Sequence, residues 1–356
     1  MIMYKVIGIM SGTSLDGLDI AYCEFRKGKK WSFRIPHAKT VNYSKAWKHQ
    51  LSSAFLVSNK KRSRLDERYG NFIGKEVLKF IRQHNISPDL ISSHGHTVFH
   101  QPEKRYTLQI GSGKEIASVC NVPVVCDFRS GDVALGGQGA PLVPIADKLL
   151  FSKYSACLNL GGFANISYDD YKKRRVAFDI CPVNLILNYL SEKLGKKFDD
   201  RGRIASTGKI NEQLLDQLNA ISFYSMKPPK SLGREWAENF FLPILDSYKI
   251  SIKDKLRTVV EHIAVQIAGA VSHSSIGNRV SLLITGGGAY NRFLIQRISA
   301  HARVKISLPD NKTIQFKEAM AFAFLGVLNV RKEINCLKSV TGAKRDSTGG
   351  ILFLPC

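Results

Sequence analysis

Residues Val6–Ala21 read VIGIMSGTSLDGLDIA. Two apolar runs flank a turn in which serine, glycine, threonine and aspartate crowd together between Ser11 and Asp19. That composition suits a loop that holds phosphate oxygens. Glycine admits close backbone approach and positive φ, while hydroxyls and amide N–H groups donate hydrogen bonds. The lysine and spacing of the P-loop pattern GxxxxGK[ST] are missing. Read alone, the stretch is either a nucleotide loop of another kind or a hairpin turn.

The chain has 356 residues, which favours two domains over one core. Hydrophobic residues at 44% and charged residues at 23% are ordinary for a globular protein. No apolar run approaches the length of a membrane span, and MIMYKVIGIM at the start reads as a strand rather than a signal peptide. Seven cysteines, an odd number without a CxxC pair, suit reduced thiols in a cytoplasm. The net charge of +23 raises nucleic acid or a membrane surface as partners. The basic clusters Arg26–Lys30, Asn59–Arg64 and Tyr171–Arg175 are scattered, however, and lack the interleaved aromatics of a base-stacking platform. A lysine-rich solvated surface, with room for an acidic small substrate, is the preferred reading.

Apolar strand-like runs alternate with helical patterns, which predicts an α/β fold without a short repeat. Strands are predicted over 4–10, 19–26, 90–93, 122–126, 156–160, 176–179 and 281–285. Helices are predicted over 64–84, 183–194, 255–273, 291–300 and 318–330. In the third helix Leu256, Val259, Val260, Ile263, Ile267 and Val271 share one face, which is core. Polar residues collect just after strands, where open α/β sheets place their ligand crevice. ALGGQGAPLVP (Ala134–Pro144) reads as a hinge between lobes or a substrate loop.

Two further glycine turns follow apolar strands: CLNLGGFANIS (Cys157–Ser167) and LLITGGGAYNRFLIQRI (Leu282–Ile298). In the latter, Asn291 can open a helix whose N-terminus favours an anion or a polar nucleotide edge. Three such turns in one chain are hard to explain as turns alone. In VAFDICPVNLILNYL (Val176–Leu190), Asp179 ends a predicted strand and Pro182 sits where a helix would start. A carboxylate there either caps the helix or serves as a general base held anionic by the helix dipole. Glu318 in FKEAMAFAF falls in the first turn of an apolar helix, where its charge already suits the dipole. His94, His96 and His100 in SHGHTVFH share one face if extended, but no cysteine or carboxylate completes a zinc site. A polar ligand loop is the better reading there. In DFRSGD, Arg129 and Asp132 form an ion pair with each other, or Arg129 recognises a carboxylate or sugar. Cys126 and Cys181 read as packed thiols.

The set GIMSGTSLDGLDIA, SHGHTVFHQP, TLQIGSG, VVCDFRSGDVALGGQGAPLVP, LNLGGFANIS, PPKSLGRE, TGGGAYNRFL and KEAMAFAFLGVL runs from the first strand to the last long helix. In its order of glycine turns the chain resembles the sugar kinase, Hsp70 and actin ATPase superfamily, and more closely the anhydro-N-acetylmuramic acid kinases. The resemblance implies a two-lobed actin-like ATPase (ribonuclease H-like) α/β fold with ATP and sugar in the interlobe cleft. One lobe is expected at 1–135 plus 335–356 and the other at 136–334. For ATP, the resemblance implies Gly12, Thr13, Ser14, Leu15, Asp16, Gly17, Leu18 and Asp19 around the phosphates. Gly161, Gly162 and Asn165 join them, with Gly286, Gly287, Gly288 and Asn291 at the adenosine. Asp16 and Asp19 are candidate outer ligands for the Mg²⁺ carried by ATP. It further implies Asp179 as catalytic base, assisted by Glu318, and Ser11, His94, Thr97, Arg129, Asp132 and Asn184 at the sugar.

The substrate so implied is 1,6-anhydro-N-acetylmuramic acid, converted to its open 6-phosphate with release of ADP in cell-wall sugar recycling. No nucleic acid or membrane partner is implied, and a homodimer is allowed. Where the family pattern reads FDTGPGN, this chain has FDICPVN, and where the family has glutamine it has His96. The first departure leaves open a kinase of the same fold for another sugar. Retention of Asp179 and Glu318 argues against a non-catalytic nucleotide-binding protein.

Overall fold

The computed structural model describes residues 2–12, 15–273 and 281–355. Its contacts divide the chain into two compact units, one formed by Met1–Leu150 with Phe316–Cys356 and the other by Phe151–Gln315. The first unit carries β1 (Met3–Ser11), β2 (Leu18–Lys27), β3 (Trp31–Val41), β4 (Leu90–Ser93), β5 (His96–Gln101), β6 (Tyr106–Ile110) and β7 (Val124–Cys126). The second carries β8 (Ala156–Leu160), β9 (Phe163–Asp169), β10 (Arg175–Pro182), β11 (Ser281–Thr285) and β12 (Lys305–Ser307). The chain ends in the first unit with β13 (Ile351–Phe353).

Each unit is organised on the same plan. In the first, the sheet order is β13-β7-β4-β1-β2-β3, with β1, β2 and β3 an antiparallel meander and β4 and β7 added in parallel. In the second, the order β10-β9-β8-β11-β12 repeats the meander and then the two parallel strands. This duplicated order is the ribonuclease H-like pattern that the family resemblance implies. The α/β class is met in both units.

Side-chain size explains the layering of the first unit. Ile7 and Ile9 of β1 point to one face, where they join Leu65, Tyr69, Ile73, Val77 and Phe80 of the helix Asn59–His84. The intervening Gly8 points to the other face. There a Cβ on Gly8 would lie 1.9 Å from the Ala319 carbonyl oxygen. Its partner across β1 and β4 is Ser92, whose hydroxyl donates to the Phe322 carbonyl at 2.5 Å. Two small residues side by side thus seat the C-terminal part of the helix Asn311–Val330 directly on the sheet. In the second unit, the helix Ile252–His273 buries Leu256, Val259, Val260, Ile263, Ile267 and Val271 against Leu158, Leu160 and Ile284, so the predicted stripe is the core face.

The unit boundaries fall at 150/151 and 315/316 rather than at 135/136 and 334/335. Two features account for this. Loop 135–143 is pinned within the first unit, because Gly139 N donates to Asp132 Oδ2 at 2.8 Å and Gln138 N to the Thr341 carbonyl at 2.8 Å. The helix Asn311–Val330 departs from helical dihedrals at Phe316 (φ −112°, ψ 18°), and from there its residues pack on the first sheet. The strand β3 is absent from the sequence reading because Pro36 interrupts it; the proline is accommodated at an edge strand beside a bulge opposite Tyr22 and Glu24. No helix among the described residues is long and apolar enough to cross a membrane.

Gly8→Ala should lower unfolding stability by about 1–3 kcal/mol through overpacking on Ala319. Gly131→Ala, where a Cβ meets nothing within 4 Å, should leave it nearly unchanged. Urea midpoints of the two variants check this.

Candidate active site

Leu15 N donates to the Gly12 carbonyl at 3.3 Å, and Leu15 itself has φ 57°. A Cβ on Gly17 would come within 2.6 Å of Thr40 Cγ2, so the turn presses on the end of β3. Asp19 Oδ1 accepts from Thr40 Oγ1 at 2.5 Å. Burial raises the Asp19 carboxyl, the Thr40 bond opposes this, and Asp16 adds to the rise. Thr13 and Ser14 lie outside the described residues. Leu18 is fully buried, so its side chain belongs to the core and only its backbone faces the turn.

Glu318 follows the break at Phe316, which places it in a first helical turn as the sequence predicts. It is open to solvent, yet surrounded densely enough that desolvation raises its carboxyl. Lys317 opposes that rise, Asp19 adds to it and Arg129 opposes it. Arg129 donates from Nε (3.1 Å) and Nη2 (2.8 Å) to His94 Nε2, and from Nη1 to the Gly139 carbonyl at 2.6 Å. A guanidinium can only donate, so His94 Nε2 accepts and the ring carries its proton on Nδ1, 2.9 Å from the Gly95 carbonyl. Burial and the Arg129 charge hold His94 neutral. Desolvation also lowers the Arg129 guanidinium to about 10, against the pull of Glu318.

Several residues expected at the sugar are interior supports. Asp132 is wholly buried and makes no pair with Arg129; its oxygens accept from Gly139 N and from Thr341 Oγ1 at 2.8 Å each. Ser11 is 1% exposed and ends a hydroxyl chain, 2.8 Å from Tyr43, which is 2.6 Å from Tyr69. His94, with both ring nitrogens engaged, positions Arg129 and cannot reach outward. Thr97 is half-buried beside a bulge in β5. Among the described residues no cluster of metal-binding side chains occurs, the three histidines included.

The second unit sets a polar row across one end of its sheet. Thr285 of β11, Asn159 of β8, Asn165 of β9 and Asp179 of β10 are successive cross-strand partners. Asp179 lies inside β10 rather than at its end, at a bulge between Asp179 and Cys181. The following helix, Asn184–Glu192, has Val183 at its N-cap. Its first N–H groups are taken by the carbonyls of Gly161 and Gly162. Asp179 is therefore no helix cap, and the helix dipole does not hold it anionic. Burial instead raises its carboxyl, opposed by one hydrogen bond from Leu232 N to Oδ2 at 2.8 Å. Oδ1 has no hydrogen bond among the described residues.

The GGG turn lies beside this row. Gly286 has φ 82° and a Cβ there would meet Asn159 Oδ1 at 2.7 Å; one on Gly288 would meet Leu160 Cβ at 2.6 Å. Both glycines are demanded by packing. Gly287 is different: a Cβ would make only an ordinary contact, 3.5 Å from Asn184 Nδ2, and the residue lines an open cleft of about 840 Å³. Leu187 and Ile314 contribute buried apolar wall, while Asn184, Asn291, Arg201 and Arg292 contribute polar edges. Asn291 caps the helix Arg292–Ala302 by accepting from Leu294 N at 3.0 Å, as predicted.

Asn159 and Leu232 were not legible as site residues. The one available signal was an asparagine inside an otherwise apolar strand, since a buried amide must find partners. Leu232 acts through its backbone and leaves no side-chain signature. The substituted residues of FDICPVN are resolved by burial: Ile180, Cys181 and Val183 are at most 3% exposed and belong to the hydrophobic core. Their bulk goes inward. Cys181 is a packed thiol, as is Cys126, whose thiol burial pushes up to about 12.

The family model for anhydro-N-acetylmuramic acid kinase matches residues 4–355. Similar curated proteins of that name come from Aliivibrio fischeri, 33% identical over 99% of both chains, and from Vibrio vulnificus, 34% identical over 98% of this chain and 97% of the relative. One from Coxiella burnetii is 33% identical over 98% and 97%. Among solved structures, component A of (R)-2-hydroxyglutaryl-CoA dehydratase from Acidaminococcus fermentans covers 92% of this chain and all of its own at a TM-score of 0.49 and 12% identity. That likeness is too distant to bear on function. The near full-length match to the family model and the relatives spanning both chains carry the assignment: this chain belongs to the anhydro-N-acetylmuramic acid kinase family.

Proposed function

We propose that this kinase opens the 1,6-anhydro ring of 1,6-anhydro-N-acetylmuramic acid with water while transferring the γ-phosphoryl group of ATP to O6. The carrying observation is Asp179: half-buried, tethered through one oxygen, with the other available and its carboxyl raised toward working pH. O6 of the substrate is an ether oxygen with no proton to remove, so the base must act on water. Asp179 takes a proton from the water that attacks C1, the C1–O6 bond breaks, and O6 is captured by the phosphoryl group. N-acetylmuramic acid 6-phosphate and ADP result. Glu318 orients sugar hydroxyls, and Arg129, held by His94, offers a cation for the lactyl carboxylate.

The cleft beside the GGG turn suits adenosine, with Leu187 and Ile314 against the base and Arg201 and Arg292 attracting the phosphates. Gly12, Leu15, Asp16 and Gly17 contribute the phosphate turn. Asp16 and Asp19 are close enough that one carboxylate raises the other, a pair that a divalent cation would relieve. They would hold Mg²⁺ arriving with ATP, and the ion would neutralise phosphate charge. The free thiols of the described cysteines suit a reducing cytoplasm. The FDICPVN substitutions are directed into the core and so do not themselves favour a different sugar.

Turnover of ATP and the anhydro-sugar in ¹⁸O-water should give a product labelled at C1 and phosphorylated on O6. An unlabelled product overturns the ring-opening route, and no product overturns the substrate. Asp179→Asn should abolish turnover while ATP binding persists.

Protonation switches the base off, so kcat/KM should fall as pH drops through its raised value, above the ~3.9 of a free aspartate. A Glu318→Gln enzyme should keep that acid limb at reduced rate. Gly287→Leu should fill the cleft and weaken ATP binding about tenfold, near 1.4 kcal/mol. Its thermal midpoint should barely move, because the fold does not require glycine at that position; calorimetry of both quantities checks this.

A further inference from the structure

We propose that Lys230 is a positioning residue for the reaction, clamping the segment that tethers Asp179. This rests on Asp179 being the base. Lys230 Nζ donates to the carbonyls of Phe223 (3.0 Å) and Tyr224 (3.3 Å), and lies 4.6 Å from the Phe223 ring centre and 6.0 Å from that of Phe178. An ammonium among two carbonyls and two aromatic faces has its charge satisfied without any carboxylate. Its own backbone closes the loop onto β10: Asp179 N donates to the Lys230 carbonyl at 3.1 Å, and two residues on, Leu232 N donates to Asp179 Oδ2. One side chain therefore fixes both backbone contacts that hold the aspartate.

The anchor behind Lys230 is rigid. Tyr224 donates its hydroxyl to Nε2 of the wholly buried His262 at 3.0 Å, while His262 Nδ1 donates to Asn219 Oδ1 at 2.7 Å. Trp236 packs on the Phe223 ring at 5.2 Å. By contrast Ser231 and Gly233, which flank Leu232, are exposed. Without the clamp, an exposed loop would have to hold the tether alone. The N–H of Leu232 favours the carboxylate, so its loss leaves desolvation unopposed and the base keeps its proton to higher pH.

The test compares Lys230→Met, Lys230→Arg and Leu232→Pro with the parent enzyme. Lys230→Met should lower kcat about 10- to 100-fold, with KM for ATP unchanged. It should also move the acid limb of kcat/KM upward by up to about one pH unit. Lys230→Arg, which keeps a cation for the same carbonyls, should restore most of kcat and return the limb. Leu232→Pro removes the N–H donor, although it also fixes φ there and replaces the leucine side chain, and should reproduce the shifted limb, so the inference stays testable even where Lys230→Met folds poorly. An unmoved limb in Leu232→Pro, or in a folded Lys230→Met enzyme, overturns the positioning role whatever happens to kcat. Turnover by Asp179→Asn overturns the base itself, so the two failures are distinct.

Discussion

The contact between Gly8 and Ala319 is the constraint on which the first unit depends. A strand and a helix meet there with no room for a Cβ, the intended atom falling 1.9 Å from a carbonyl oxygen. That approach fixes the height of the helix over β1, and Glu318 is the residue next to Ala319. β1 runs three residues further to Ser11 and the glycine turn that follows it. The same contact therefore sets Glu318 where it feels both Asp19 and Arg129. A larger residue at Gly8 would lift the helix and change both relations at once.

Asp179 is governed by a different balance. Its carboxyl sits where burial disfavours charge, with a single N–H opposing that effect. A fully bonded carboxylate would be a weak base, and an unbonded one would stay protonated. The bulge in β10 and the backbone of 230–232 hold it between these limits. The neighbouring Ile180 and Cys181, which depart from the family pattern, contribute packing below the row rather than contacts above it.

The buried polar groups of the first unit show how such a site is supported. His94, Asp132 and Ser11 have hydrogen-bond partners inside the unit, so they hold Arg129, the 135–143 loop and the end of β1 in place. In sequence they sit among the residues proposed to touch ligand and have the same chemistry. Only their partners tell the two kinds apart.

Much of the architecture was legible because it rests on local pattern. Apolar runs marked β4, β8 and β11 to the residue, and the stripe from Leu256 to Val271 marked its helix. A glycine turn after a strand marked the cleft beside Gly287. The repeated strand order was not legible, since two sheets can share a topology without sharing residues. Neither was the environment of Asp179, which the local reading took for a helix-end anion. Its raised carboxyl comes from burial by distant residues, and the one N–H that opposes the rise lies 53 positions along the chain. Residue type and spacing by themselves determined which groups are chemically able to act; tertiary structure alone decided which are free to do so, because hydrogen-bond partners and desolvation come from residues remote in sequence.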